Sequence, residues 1–267
     1  MEKTLPRIKR NAEASPYLSI QKAFGILELL AARSPRGVTE ISDELGLEKS
    51  SVSRLLKSLA ELGYATQSSR RGQYQVSARV LVLAQQYLAG DRLAREAQPI
   101  LRELALRARA SAHVALLLDG DLVIVAKEPS PERIQVATRV GGRTPLHASA
   151  LGKILLCALP DRDRAAFLSR PLARFTDKTI SDPRKLRKAL DEVRRLGRAF
   201  ESEEEHPGVG CIGAPVSDAS GRWIAAMSIA GPVHGTPFKL DSAHLKLVVE
   251  KAAELSRRLS PFAELRP

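Results

Sequence analysis

Between Lys49 and Arg54 the chain reads KSSVSR, a run of hydroxyls and cations set into an apolar pattern. Val52, Leu55, Leu56, Leu59 and Leu62 recur at helical spacing, so Lys49, Ser50, Ser51, Ser53 and Arg54 crowd the exposed first turn and a half of one helix. Small hydroxyls let a helix sink into a DNA major groove, and an arginine can read guanine or grip phosphate. The plain alternative is a solvated face with serines by chance. Arg70 and Arg71 form a second basic group, in SSRRG between strand-like arms at Tyr64–Gln67 and Gln73–Ser77. With Gly72 at the turn this predicts a β-hairpin, and two adjacent arginines at its tip call for an anion.

A different chemistry is available at LHASALGK. Ser149 is a natural helix cap, which leaves the N–H groups of Ala150, Leu151 and Gly152 at the helix start, where backbone donors and the dipole favour a carboxylate. Ser149 acting as a cap and nothing more is equally consistent with these residues. Lys153 is expected on the outer surface, and His147 is expected to satisfy a core carbonyl. Cys211 and Ser228 begin and end a strand pair, 211–216 and 223–230, with Glu201 on the approach to it. Plain readings exist for all three: a solvated acidic loop, an inert buried thiol, and a hydroxyl bonded to backbone. Cys211, His147, His206 and Glu201 could be arranged as a Cys-His hydrolase or a metal site. No G-x-S-x-G, P-loop, H-E-x-x-H or C-x-x-C supports that, and the histidines lack ligand spacing. The expectation is a non-enzyme with no metal and no cofactor.

The elements that must position these residues follow from periodicity. Val38, Ile41, Leu45 and Leu47 bury a short helix, and Gly46 supplies the positive φ that a tight reversal needs. Ile20, Phe24, Leu27 and Leu30 give a third helix packing on both. Three helices and a basic hairpin make a winged helix-turn-helix over 18–78. A stripe at Val80, Leu81, Ala84, Tyr87 and Leu88 predicts a linker helix over 79–92. A new stripe begins at Leu93, in which Pro99 marks a kink or the first turn of a new helix. In 93–267, HVALLLDGDLVIVAKE and CIGAPVSDASGRWIAAMSIAG each read as a hairpin, and RIQVATRVGG as a further strand. SALGKILLCAL, PRKLRKALDEVRRLG and SAHLKLVVEKAAELSRRL read as helices. Hairpins with intervening helices argue for an α+β fold.

Composition bounds the reading. The 267 residues suffice for two domains, and the net charge of +12 favours a polyanion partner. It divides as 13 basic against 8 acidic residues over 1–89, and 29 against 22 over 90–267, so the motif rather than the charge has to place that partner. Two isolated cysteines, Cys157 and Cys211, make no disulfide framework, and no apolar run approaches membrane-spanning length. Residues 1–17, with Lys3, Arg7, Lys9 and Arg10, read as a flexible basic arm without the apolar core of a signal peptide. A cytoplasmic protein is expected.

From Ser19 to Gly231 the chain resembles transcriptional regulators of the IclR (isocitrate lyase regulator) family. The likeness rests on SIQKAFGILELLA, LGLEKSSVSRLLKSLAELGY and the wing, and then on VGGRTPLHASALGKILLCALP, RRLGRAFESEEEHPGVGCIGAPVSDASG and AAMSIAGP. The effector-domain motifs are the more specific, because winged helices occur in many regulators. The resemblance implies a GAF-like antiparallel sheet flanked by helices that binds a small metabolite, and the donors at Ala150 and Leu151 favour a small organic acid with an apolar or aromatic body and a hydroxyl. It also implies a homodimer or homotetramer on a double-stranded DNA operator, with Ala150, Leu151, Glu201, Cys211 and Ser228 lining the effector cavity. Two departures stand out. Glu48 occupies the cap position before Lys49, and Ala230 stands where better-known members carry a second hydroxyl after Ser228.

Overall fold

A computed structural model describes residues 17–68, 72–235 and 238–259 of the chain. The chain divides into two compact units, 1–87 and 88–267. The wing-tip arginines Arg70 and Arg71, and the N-terminal basic arm apart from Tyr17, lie outside the described residues.

In the first unit, α1 (Tyr17–Ala32), α2 (Val38–Leu45) and α3 (Lys49–Glu61) surround a core of Ile26, Leu29, Leu30, Ile41, Leu45, Val52, Leu56 and Leu59. Gly46 ends α2 at φ 65°, the left-handed conformation that the reversal into α3 requires. Ser42 fastens that turn, accepting from Leu47 N and donating to Leu47 O. Strands β1 (Arg36–Gly37), β2 (Ala65–Gln67) and β3 (Gln73–Val76) form an antiparallel sheet in the order β1-β3-β2. The hairpin arms thus lie where the alternation put them, joined by a strand of two residues too short to show a pattern. Three positions read as core are not. Ile20 and Phe24 are 55% and 62% exposed, and Leu62, which caps the end of α3, is 60% exposed. The buried face of α1 is turned toward Ile26 and Leu29 instead.

Helix α4 (Arg79–Gly90) presents Leu81, Val82, Leu83 and Tyr87 to solvent. Asp91 then caps α5 (Arg92–Ala108) by accepting from Ala94 N. Pro99 starts no new helix: α5 runs through it from Arg92, with Ala97, Ile100, Leu101 and Leu104 buried on either side.

The rest of the second unit is a six-stranded antiparallel sheet, mixed with helices into an α+β fold. In chain order its elements are β4 (Ser111–Leu118), β5 (Asp121–Glu128), β6 (Arg143–Thr144), α6 (Ala150–Ala158) and α7 (Asp161–Leu168). There follow α8 (Pro183–Leu196), β7 (Ala199–Ser202), β8 (Val209–Ser217), β9 (Trp223–Pro232) and α9 (Ser242–Leu259). The strand order is β6-β5-β4-β9-β8-β7. One face packs Ala112, Val114, Ile212, Ala214, Met227 and Ile229 against α5 and α9. The other packs Ala115, Ala226 and Ala199 against α6 and α8. Side chains alternate across a pleated strand, so each hairpin serves two cores.

The segment read as a strand in RIQVATRVGG is irregular, and β6 is only Arg143–Thr144. Its polar groups are taken elsewhere. Thr138 accepts from Lys127 through its carbonyl and meets His113 through its hydroxyl, while Ile134 is 62% exposed. Conversely, β7 is a regular strand in a stretch whose acidic run, ESEEEH, suggested a loop.

Candidate functional site

The first site is the exposed side of α3. Val52, Leu56 and Leu59 anchor it in the core, so Lys49, Ser50 and Arg54 are exposed and Ser51 and Ser53 half-buried beside them. Lys57 is exposed on the same helix. Glu48 is extended and makes no side-chain cap bond, although its carbonyl accepts from Val52 N. The first-turn donors of α3 are therefore left uncapped by it, a start suited to an anion. Arg36, which the sequence reading passed over, is ion-paired with Glu44 of α2.

The second site is built by strand register. Across the α6-facing side of the sheet, Lys127, His113, Ser228, Gly213 and Ala199 form one row, on β5, β4, β9, β8 and β7. Ser111, Ala230, Cys211 and Glu201 form the next. Helix α6 starts over these rows. A Cβ on Gly213 would lie 2.9 Å from Ile154 Cδ1 and 3.4 Å from Ala150 Cβ, so only glycine lets the helix approach so closely. Gly152 is equally tight, since its Cβ would fall 2.3 Å from Leu146 O. Ser149 caps α6 as expected, accepting from Gly152 N at 3.1 Å and donating to Pro145 O at 2.8 Å. That leaves Ala150 and Leu151, both buried, at the helix start.

The structure thus brings Ala150, Leu151, Glu201, Cys211 and Ser228 to one face of one sheet. Glu201 is 2% exposed, and burial pushes its carboxyl up, opposed by bonds from Glu204 N and Cys211. Burial and the neighbouring Glu201 raise the Cys211 thiol well above its ordinary range, the reverse of an activated nucleophile. His147 meets Ala173 O at 2.8 Å, the core-carbonyl role expected of it.

Lys153 is a correction. It is 3% exposed, ion-paired with Glu204, and within 3.4 Å of Phe200 O. The close approach of α6 to β7 turns its side chain inward, and Glu204 supplies the counter-charge that makes burial tolerable. Glu204 Oε2 is buried without a hydrogen bond among the described residues. Thr176 and Thr179 lace the neighbouring loop to this corner by donating to Glu203 O and Glu204 O, each at 2.6 Å.

Sequence reasoning missed three further polar residues on this face. His113 is 2% exposed, with Nε2 2.7 Å from Thr138 Oγ1; burial, then the charge of Lys127, lowers it to about 3, so the ring is neutral. Burial also lowers Lys127, whose Nζ donates to Thr138 O at 2.7 Å. Ser111 accepts from Ser130 N. Their signal was the alternation of β4 and β5, which puts His113 and Lys127 on the same side as Ser228. A separate cavity of about 300 Å³ lies between β8 and α9, lined by Ala214, Pro215, Ser217, Val249 and Arg257, and takes no part in the polar rows.

Among the described residues no helix is long and apolar enough to cross a membrane. The model of the IclR helix-turn-helix domain matches residues 19–69, and that of the bacterial transcriptional regulator IclR C-terminal domain matches 85–260. The chain is 33% identical over 216 residues to the HTH-type transcriptional regulator KdgR of Escherichia coli K12, covering 80% of this chain and 82% of that one. Its fold matches an IclR transcriptional regulator from Alicyclobacillus acidocaldarius with a TM-score of 0.80 at 21% identity, covering 92% and 99% of the two chains. It also matches an IclR homologue from Microbacterium hydrocarbonoxydans, solved with 4-hydroxybenzoate, with a TM-score of 0.77 at 24% identity and coverage of 90% and 98%. The chain belongs to the IclR family of bacterial transcriptional regulators, with a DNA-binding helix-turn-helix domain followed by an effector-binding domain.

Proposed function

We propose that this regulator is a cytoplasmic non-enzyme that senses a small carboxylate metabolite and binds a palindromic operator as a homodimer or homotetramer. Its domains are 18–78 for DNA, 79–92 as linker helix and 93–267 for effector and assembly. Lys49, Ser50, Ser51, Ser53 and Arg54 enter the major groove, and Arg70 and Arg71 hold phosphates. One recognition helix covers too few base pairs to find a promoter, so two half-sites are read. The exposed Tyr17, Ile20 and Phe24 of α1, spaced on one helical face, and the apolar residues of α4 offer surface for the second copy.

The observation that carries the effector reading is that the α6 N-terminus starts over the polar row that holds Ser228 and His113. A carboxylate seated there takes backbone donors of Ala150 and Leu151 and the Ser228 hydroxyl. Glu201, one row away, disfavours a second negative charge and suits a ligand hydroxyl, with the neutral Cys211 thiol beside it as a small wall. Ala230 lies beside them in place of a second hydroxyl, which favours a ligand with an apolar or aromatic body to bury, at about 25 cal/mol per Å². The 4-hydroxybenzoate held by the Microbacterium homologue has this chemistry. The test is thermal shift of the full chain against a panel of organic acids, with and without operator DNA. Stabilisation by aromatic hydroxy-acids that is lost in Ser228→Ala supports the reading. Tight binding of glyoxylate or pyruvate, unaffected by Ser228→Ala, overturns it.

A further inference from the structure

Three buried or half-buried lysines of the second unit differ in how their charge is met. Lys153 pairs with Glu204, and Lys251 with Glu103 and Glu254. Lys127, half-buried, has no carboxylate within ion-pairing distance among the described residues. Its Nζ donates to the carbonyl of Thr138, a dipole that orients the ammonium without neutralising it. A cation withdrawn from water without a counter-charge is a cost to the fold that an arriving anion removes.

The position of that cation is specific. Lys127 lies on β5 in the row that continues through His113 and Ser228 to Gly213, under the start of α6. Two strand spacings, roughly 10 Å, separate it from Ser228. His113 stands between them, neutral and held at Nε2 by Thr138, so one threonine aligns both side chains. One flank of the row therefore carries an unmatched positive charge, whereas the opposite flank of the face carries Glu201.

We propose that the effector bears a second anionic group, received by Lys127 with His113 alongside, while its first carboxylate sits at Ser228 and the α6 start. This rests on the carboxylate-sensing reading above. The ligand class is a diacid, with its two charges separated by a short apolar or aromatic body that lies over His113.

Matched acids test it on the full-length protein by calorimetry: adipate against hexanoate, and terephthalate against benzoate. The diacid of at least one pair is expected to bind about tenfold more tightly than its monoacid, as a charge-assisted contact implies. Lys127→Gln keeps a donor for Thr138 O but removes the charge, and should bring the pair within about threefold because the diacid loses far more than the monoacid. Lys127→Arg, which keeps the charge, should retain the preference and serves as the folding control. Monoacids binding as tightly as their diacids, or a preference that survives in Lys127→Gln, overturns the assignment and leaves the carboxylate reading standing. If none of the four acids binds while hydroxy-acids stabilise the chain, the diacid assignment is overturned and the carboxylate reading stands; if no acid of either set binds, both fall.

Discussion

The half-buried thiol of Cys211 and the buried carboxyl of Glu201 face each other across the β7–β8 ladder and share a hydrogen bond. Burial raises both groups, so neither is charged as cheaply here as in water. For Glu201 the folded value exceeds the unfolded one. Its protonated form therefore contributes stability that is complete below about pH 4.5 and lost as pH rises through the elevated value. Glu201→Gln should remove that loss. Urea denaturation near pH 4.5 and near neutrality should show the variant gaining on wild type as pH rises. A constant difference between the two would refute the linkage.

Lys153→Met should be among the more costly changes in the second unit. It leaves the Glu204 carboxylate buried and unpaired, at about 3–5 kcal/mol. Adding Glu204→Gln removes the stranded charge and should recover most of the loss, which a double-mutant cycle by chemical denaturation reads directly. A single variant as stable as wild type would place Lys153 in solvent.

Arg54→Ala is expected to weaken operator binding by about 1–3 kcal/mol and to relax base preference at one position of each half-site. Fluorescence anisotropy over a panel of single-base operator variants measures both. Equal loss on every sequence would make Arg54 a phosphate contact instead.

On α1, Phe24→Asp should act on assembly and not on folding. Phe24 is 62% exposed and outside the core of the unit, so the helix tolerates the change while an apolar contact with a second copy does not. Light scattering should show a shift toward monomer, and operator affinity should fall as paired half-site reading is lost. An unchanged mass would move the assembly surface elsewhere.

The legibility of the chain followed the range of the interactions involved. Gly46, the two effector-domain hairpins and the Ser149 cap depend on neighbours a few residues away, and their residue types announce them. Lys153 does not: its partner Glu204 is 51 residues distant, and a lysine followed by leucines carries no mark of being turned inward. The strand of β7 was hidden by its acidic run, because pairing with β8 outweighs the loop character of Glu201–Glu205. Thr138 misled in the opposite sense. A β-branched residue in an apolar run suggests a ladder, yet its polar atoms serve His113 and Lys127. The face that Lys127, His113 and Ser228 share was present in the alternation of β4, β5 and β9, but only the register between them makes it one surface.

That alternation also makes β4 and β9 common property of two layers. His113 and Ser228 look toward α6, while their immediate neighbours Ala112, Val114, Met227 and Ile229 press on the layer containing α5 and α9. The same two backbones are wall on one side and floor on the other. Residues next to each other on β4 or β9 therefore belong to different cores, and α5 packs on the same backbones that carry His113 and Ser228. Because a single residue, Asp91, separates α5 from α4, the chain's covalent path from sensor to reader begins there.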